Sequence, residues 1–342
     1  MPKVTVILSA FNAEKYIKEA IESILAQSFS DFEFFIVNDG SVDKTGSIIA
    51  SFKDKRIIKI NNKKNKGVGV SVNKCFNAAK GMYIARMDAD DISMPQRFEK
   101  QVKFLDENMD VGICGCWIKT FGSGKHYINK YPSLHQDIKF KMLTENPFPQ
   151  PGIMLRKKMF DRHNLRYKPE CFPSEDYELW ERAIRFIKGA NIPEVLLKYR
   201  VHPQNASNKG QKKQIKVADD IRIRQLRKLL GKTNHETEEI FIRLVNKEGT
   251  GGRRFIDKSF EILFALKNSA LLKQEYTAVQ MDPLIESCWS FACKTELSFY
   301  SINNYAAGLK KMGINAGYLM KIRQILRSIK FSIIKKIKLI LY

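Results

Sequence analysis

Long apolar runs are missing from this chain of 342 residues. A helix that spans a bilayer needs about 18 or more consecutive apolar residues, and the sequence offers no such run. The opening stretch MPKVTVILSAFNAEKY has no basic segment leading into an apolar one, so a secretory signal is not expected. CxxC pairs are absent as well. The six cysteines, Cys75, Cys114, Cys116, Cys171, Cys288 and Cys293, are scattered along the chain. That spacing argues against a zinc knuckle and for buried free thiols in a reducing cytosol. No G-x-G-x-x-G follows the first strand, and GSGKH and LLGKTN lack the preceding glycine at phosphate-loop spacing. A dinucleotide fold and a P-loop nucleotidase are therefore set aside. Acidic residues are few: 36 Asp plus Glu stand against 59 Lys plus Arg, a formal net charge of +23. The excess predicts an anionic partner, whether nucleic acid, anionic lipid or a phosphorylated substrate.

What is present begins with apolar material for a core, 44% of the residues, in a chain long enough for roughly two domains of about 150 residues each. The first half alternates short β-branched runs with helical periodicity. VTVILSAFN (4–12), FEFFIV (32–37), RIIKIN (56–61) and MYIARM (82–87) read as strands. Between and after them, EKYIKEAIESILAQS, VDKTGSIIASF, VGVSVNKCFNAAKG and PQRFEKQVKFLDENM read as helices. Such alternation predicts right-handed βαβ units and an α/β fold with a mainly parallel central sheet. From Val111 the pattern shifts to a strand, VGICGCWIKTF, then to helical segments at DIKFKMLTE and SEDYELWERAIRFIK. Beyond YRVHPQNAS the chain reads as helical and basic to its end. The boundary is placed so that 1–206 forms one domain and 207–342 a helical C-terminal region. The tripeptide Asn205-Ala206-Ser207 spells a glycosylation site, but nothing in the sequence sends the chain out of the cytosol.

The sharpest local feature is Asp88-Ala89-Asp90-Asp91 at the end of the fourth strand. All four strand ends carry polar residues. In a parallel sheet those ends share one edge, where ligands of such folds bind, so Asn12, Asp39, Asn65 and Asp88–Asp91 are expected to converge. Crowded carboxylates repel one another unless a positive group joins them. A hard divalent cation with oxygen ligands is the natural partner, and Mg²⁺ or Mn²⁺ commonly completes its shell with substrate phosphates. The plainer alternative is a helix cap by Asp91 or Ser93, which accounts for one carboxylate and not three.

Taken together, VTVILSAFNAEKYIKEAIESILAQS, FIVNDGSVDKT, NKGVGVSVNKCFNAAKGMYIARMDADDIS, SEDYELWERA and YRVH resemble, in order, the family 2 glycosyltransferases of the GT-A fold. The likeness covers roughly the first 205 residues. It implies an inverting transfer from a nucleotide-diphosphate sugar, UDP favoured, to a hydroxyl of a glycan or lipid-linked acceptor in surface-polysaccharide synthesis. Carried over by position, Ser9, Ala10, Phe11, Asn12 and Glu14 would wrap the base and ribose. Asp39 would bond the base, with Asn65, Gly67 and Ala89 alongside the nucleotide and Asp88 on the ribose. Asp90 would ligate Mn²⁺ or Mg²⁺ on the diphosphate, with His202 approaching from the far side, and Asp176 would be the general base. Where many members carry a histidine ahead of a later strand, this chain has Gln150, a departure that bears on acceptor contacts.

Each role has a plainer counterpart: a turn at Asp39-Gly40, an acidic first turn capped by Ser174 for Glu175-Asp176, a loop histidine at 202 and a helix-terminal charge at Glu14. Two other functions also put an Asp-x-Asp or a nucleotide site to use. One is a phosphatase with Asp88 as nucleophile, and the other is a scaffold that binds a nucleotide sugar without turnover. Nucleic-acid binding is not expected, because the basic residues lie in helical segments without interleaved aromatic platforms. The tail from Lys321 to Tyr342 holds Ile322, Ile325, Leu326, Ile329, Ile333, Ile337 and Ile340 on one helical stripe, with no acidic residue. It reads as an amphipathic anchor for an anionic bilayer. The protein is expected to be cytoplasmic and peripheral at the inner face of the membrane.

Overall fold

The computed structural model describes residues 1–205, 210–249, 251–269, 276–294 and 299–314. They form two compact units, Met1–Ile221 and Arg222–Tyr342. The sequence-based boundary at 206 thus lies too early. The helix Gln211–Leu230 gives its first turns to the first unit, because Ile221 is buried in that unit's core with Val217 and Ala218 packed against it.

The first unit is built on β1 (Val4–Ala10), β2 (Phe32–Asn38), β3 (Ile57–Asn61) and β4 (Tyr83–Asp88). These strands are mutually parallel, with Val4 opposite Phe32 and Ser9 opposite Asp88. The sheet continues through β8 (Met154–Arg156), β6 (Val111–Gly122), β9 (Lys188–Val201) and β5 (Ile92–Ser93), in the order β3-β2-β1-β4-β8-β6-β9-β5, with β7 (Ile128–Asn129) paired to β6. β8 runs antiparallel to both its neighbours, while β6 and β9 run parallel to each other.

β1 and β2 are mostly apolar on both faces because both faces are covered. Val4, Val6 and Leu8 point into one core layer, and Ile7 into the other. The first layer is closed by helix α1 (Ile17–Leu25), through Ile17, Ala20, Ile21 and Ile24, and by α4 (Arg97–Glu107), through Phe98, Val102 and Leu105. The second is closed by α3 (Val68–Ala78), through Val72, Cys75 and Phe76, and by α7 (Glu175–Ala183), through Tyr177, Leu179 and Trp180. The helices α2 (Thr45–Ser51), α5 (His135–Lys141) and α6 (Lys157–Arg162) complete the unit. All six cysteines are free thiols, and Cys114 and Cys116 lie on one face of β6, buried in the same layer.

Two sequence expectations fail here. The helical reading of 174–188 overshoots: α7 stops at Ala183, and Lys188 opens a strand of 14 residues. The missed strand is masked by Pro193 and Glu194, which break its alternation. Both are exposed and lie where the β6–β9 register shifts, between the pairs Cys116–Ile192 and Trp117–Val195. A proline is tolerated in a strand at such a bulge, where no ladder bond needs its N–H. Nor is α4 capped by Asp91 or Ser93. Asp91 Oδ1 accepts the Arg200 N–H at 2.7 Å, and Ser93 Oγ accepts Gln27 Nε2 at 3.1 Å.

The second unit is helical. It contains the remainder of Gln211–Leu230 (α8), then α9 (His235–Asn246), α10 (Arg253–Asn268), α11 (Ala278–Lys294) and α12 (Phe299–Lys311). Asn234 caps α9 by accepting the Thr237 N–H at 2.9 Å. The buried Trp289 donates its indole N–H to the Tyr305 carbonyl at 3.1 Å. The amphipathic tail expected at 321–342 lies outside the described residues.

Candidate active site

The loops that follow β1, β2 and β3 are tied together at the edge where those strands end. Asn12, at a φ of 50°, donates its N–H to Ser41 Oγ at 3.1 Å and accepts the Val42 N–H on Oδ1 at 3.0 Å. Glu14 donates its N–H to Asp43 and accepts the Lys44 N–H on Oε2 at 2.9 Å. Both side chains are therefore engaged in holding loop to loop. Ser9 and Ala10 end β1 beside Asp88 and Asn38, and Phe11 stands half-exposed at the rim.

Asp39 is buried and fully engaged. Its Oδ1 accepts from Asn62 Nδ2 (2.7 Å), Ser71 Oγ (3.0 Å) and the Lys66 N–H (3.1 Å), and its Oδ2 accepts the Gly67 N–H (2.9 Å). Gly67 N–H also points at Asn65 Oδ1 at 2.9 Å. The turn after Asp39 needs glycine. Gly40 has a φ of 75°, and a Cβ there would lie 2.5 Å from the Lys64 carbonyl carbon. Asp39 thus fastens the β3–α3 loop, and with it Asn65, Gly67 and the exposed Lys63, Lys64 and Lys66.

At the end of β4 the three aspartates separate in role. Asp88 faces Arg86, whose guanidinium is buried, 3.4 Å away, and donates to the Ile7 carbonyl at 2.6 Å. Burial pushes the Asp88 carboxyl up to about 6, with Arg86 pulling it down and the charges of Asp90 and Asp176 adding to the rise. Asp91 is fully buried. Burial and then the charges of Asp90 and Asp88 hold its proton affinity well above the ordinary range, and its Oδ2 has no hydrogen-bond partner. Asp90 meets the chain that follows β9: His202 Nε2 lies 2.9 Å from Asp90 Oδ2, and Asn205 Nδ2 donates to the same oxygen at 3.2 Å. Arg200 stiffens this return. It donates to the Asp90 carbonyl at 2.7 Å, pairs with Glu19 and stacks over Tyr16 and Phe121. Asn205, buried and bonded to Asp90, to the Arg200 carbonyl and to the His202 N–H, is part of this latch and not an exposed modification site.

The third group comes from α7. Ser174 does not cap it, because its hydroxyl donates to the Gln214 carbonyl instead. Glu175 and Asp176 open the helix. Burial pushes Glu175 up to about 8, helped by the Asp176 charge, and its Oε2 has no partner. Burial also pushes Asp176 up to about 6, against the Tyr177 N–H that Oδ1 accepts at 2.7 Å and the Asn146 amide that Oδ2 accepts at 2.8 Å. Gln150 pairs its amide with the Tyr167 hydroxyl at 3.0 Å.

The arrangement offers a carboxylate able to take a proton near neutrality, a second acidic group opposite it at the end of β4, and a basic loop at the nucleotide edge. Among the described residues no three His, Cys, Asp or Glu side chains form a ready cation cage. The donor set fits a cation that takes only one or two protein ligands and fills its shell from phosphate. Asp90 Oδ2 and His202 Nε2 lie 2.9 Å apart beside Asp88, an oxygen and a nitrogen donor of the kind a divalent cation takes. Sequence reasoning missed Arg86, Asn146, Arg200 and Asn205. A basic residue inside an apolar strand was the visible signal for Arg86. The others depend on pairings across thirty residues or more, or on a loop whose side chains carry no spacing rule.

A parallel α/β sheet with an antiparallel insertion and acidic residues at the carboxyl ends of its strands is the arrangement of the GT-A fold. Residues 5–164 match the family described as Glycosyl transferase family 2. The chain is 34% identical over 274 residues to an uncharacterized glycosyltransferase of Haemophilus influenzae, covering 77% of this chain and 83% of that one. It is 32% identical over 209 residues to the O-antigen biosynthesis glycosyltransferase WbnJ of Escherichia coli, covering 58% of this chain and 80% of that one. The fold is similar to that of S. aureus TarS 1–349 in complex with UDP-GlcNAc, with a TM-score of 0.57 and 16% identity over 90% of this chain and 92% of that one. The chain belongs to glycosyl transferase family 2, and it is a glycosyltransferase.

Proposed function

We propose that this enzyme transfers a sugar from a UDP-sugar, with inversion, to a hydroxyl of a glycan or lipid-linked acceptor in surface-polysaccharide assembly, at the inner face of the cytoplasmic membrane. The observation that carries the chemistry is that carboxylates from two separate elements share one site: Asp88 at the end of β4 feels the charge of Asp176 at the start of α7. The similarity to an O-antigen transferase and to the fold of a UDP-GlcNAc-binding protein supports the polysaccharide and UDP parts of the reading.

In this reading the loops after β1 to β3 hold the nucleotide. Ser9, Ala10 and Phe11 contribute the rim, Asp39 shapes the pocket by holding Asn65 and Gly67 in place, and Asp88 meets the ribose. Asp90 and His202 would hold a divalent cation, Mn²⁺ or Mg²⁺, which when bound supplies positive charge to the leaving diphosphate. Asp176 takes the proton of the acceptor hydroxyl as that oxygen bonds to the anomeric carbon. The bond to the diphosphate breaks on the opposite face, so the configuration inverts, and no second carboxylate is needed to hold a covalent sugar. The test is Asp176→Asn. Nucleoside-diphosphate release from a panel of UDP- and GDP-sugars with Mn²⁺ is expected to fall by about 10²-fold or more, while donor binding by calorimetry is kept. Near-wild-type release in Asp176→Asn, together with its loss in Glu175→Gln, would move the role to Glu175.

A further inference from the structure

Asn146 stands thirty residues before Asp176 in the chain, yet its side chain reaches the carboxylate. Nδ2 donates to Asp176 Oδ2 at 2.8 Å, and Oδ1 accepts the Phe148 N–H at 3.1 Å. Only one orientation of the amide serves both partners, because the opposite one would set oxygen against carboxylate and N–H₂ against N–H. The segment that carries Asn146 is fastened on two sides. Asn191 of β9 donates to the Pro147 carbonyl at 3.1 Å, and Phe148 packs edge-on against Trp180 of α7 with ring centroids 6.0 Å apart. A donor held this firmly at the oxygen of a half-buried carboxylate fixes both where that oxygen points and how readily it ionises.

We infer that Asn146 is the positioning residue of the base: its amide holds one oxygen of Asp176, orients the carboxylate toward the acceptor hydroxyl and keeps it charged at neutral pH. This rests on the reading of Asp176 as general base. The other ionisable groups around Asp176 are Glu175 on the same helix, Asp88 and Arg86 on β4, and the Tyr131 and Tyr167 hydroxyls. Burial and the Asp88 charge oppose ionisation of Asp176 and Arg86 favours it, so the Asn146 amide acts on the same side as the guanidinium.

The test compares Asn146→Asp and Asn146→Ala with wild type, reading UDP release from the UDP-sugar that turns over fastest. Asn146→Ala removes the donor to Asp176 without adding a charge and carries the test, whereas Asn146→Asp keeps an oxygen for the Phe148 N–H but sets a second carboxyl against Asp176. The expected result is a fall in kcat on the order of tenfold or more at pH 7, the scale of a lost charge-assisted hydrogen bond. The acid limb of the pH profile should move upward, and the donor Kd and melting temperature should stay close to wild type. Asn146→Ala is expected to show the displaced limb without an added charge, and Asn146→Asp a larger displacement because a second carboxyl then faces Asp176. An unmoved acid limb in the folded variants, beside an inactive Asp176→Asn, overturns the role of Asn146 alone. Wild-type turnover in Asp176→Asn overturns the base reading itself.

Discussion

Asp176 and Glu175 are neighbours in sequence with different surroundings. Asp176 Oδ1 accepts the Tyr177 N–H and its Oδ2 the Asn146 amide, whereas Glu175 Oε2 has no partner. Burial raises both, Asp176 to about 6 and Glu175 to about 8. The donors at both Asp176 oxygens favour its charged form over that of Glu175, which separates a proton acceptor from its neighbour. Turnover that needs ionised Asp176 is therefore predicted to fall about tenfold per unit below pH 6. The sign for stability runs the other way. A carboxyl raised in the native state holds its proton more tightly there than in the unfolded chain, where its ordinary value is 3.8. Stability is therefore lost as pH rises from about 4 through 6. Asp176→Asn should then melt higher than wild type at pH 8, with the gain shrinking toward pH 4. Melting curves at the two pH values check this, and a variant that melts lower at pH 8 would contradict it.

Among the elements, the first four strands were legible because each is a short apolar run ended by a polar turn. Their parallel order alone puts Asn12, Asp39, Asn65 and Asp88–Asp91 on one edge. β9 was hidden, since its bulge at Pro193 and Glu194 breaks the two-residue period by which a strand is recognised. The site shared that limit. The acidic positions carry a visible pattern, but the Asn205 and Arg200 contacts to Asp90 arise only because β9 and its exit loop return beside β4. Asp39, expected to bond the base, also accepts from four donors of the β3–α3 region, and those long-range partners have no signature in the sequence. At this scale the prediction concerns the β4 end. Asp90→Ala should abolish UDP release and the Mn²⁺-dependent rise in melting temperature with UDP, with the fold retained. Full activity of the wild type in EDTA would contradict the cation site.

For the molecule as a whole, the excess of basic over acidic residues remains the broadest signal of an anionic partner. No helix among the described residues is long and apolar enough to cross a membrane. The proposed contact with an anionic membrane surface is the tail at 321–342, an apolar stripe flanked by basic residues. Removing everything beyond Gly317 is predicted to lower co-sedimentation with anionic vesicles at low salt while leaving UDP release unchanged. Equal binding by both chains would contradict the anchor.

The central claim is inverting transfer from a UDP-sugar, and its most direct measurement is the anomeric form of the first sugar released. With Mn²⁺ and an α-linked UDP-sugar, water in place of the acceptor and proton NMR faster than mutarotation, the account predicts that UDP appears with the β-anomer first. The α-anomer appearing first would contradict it.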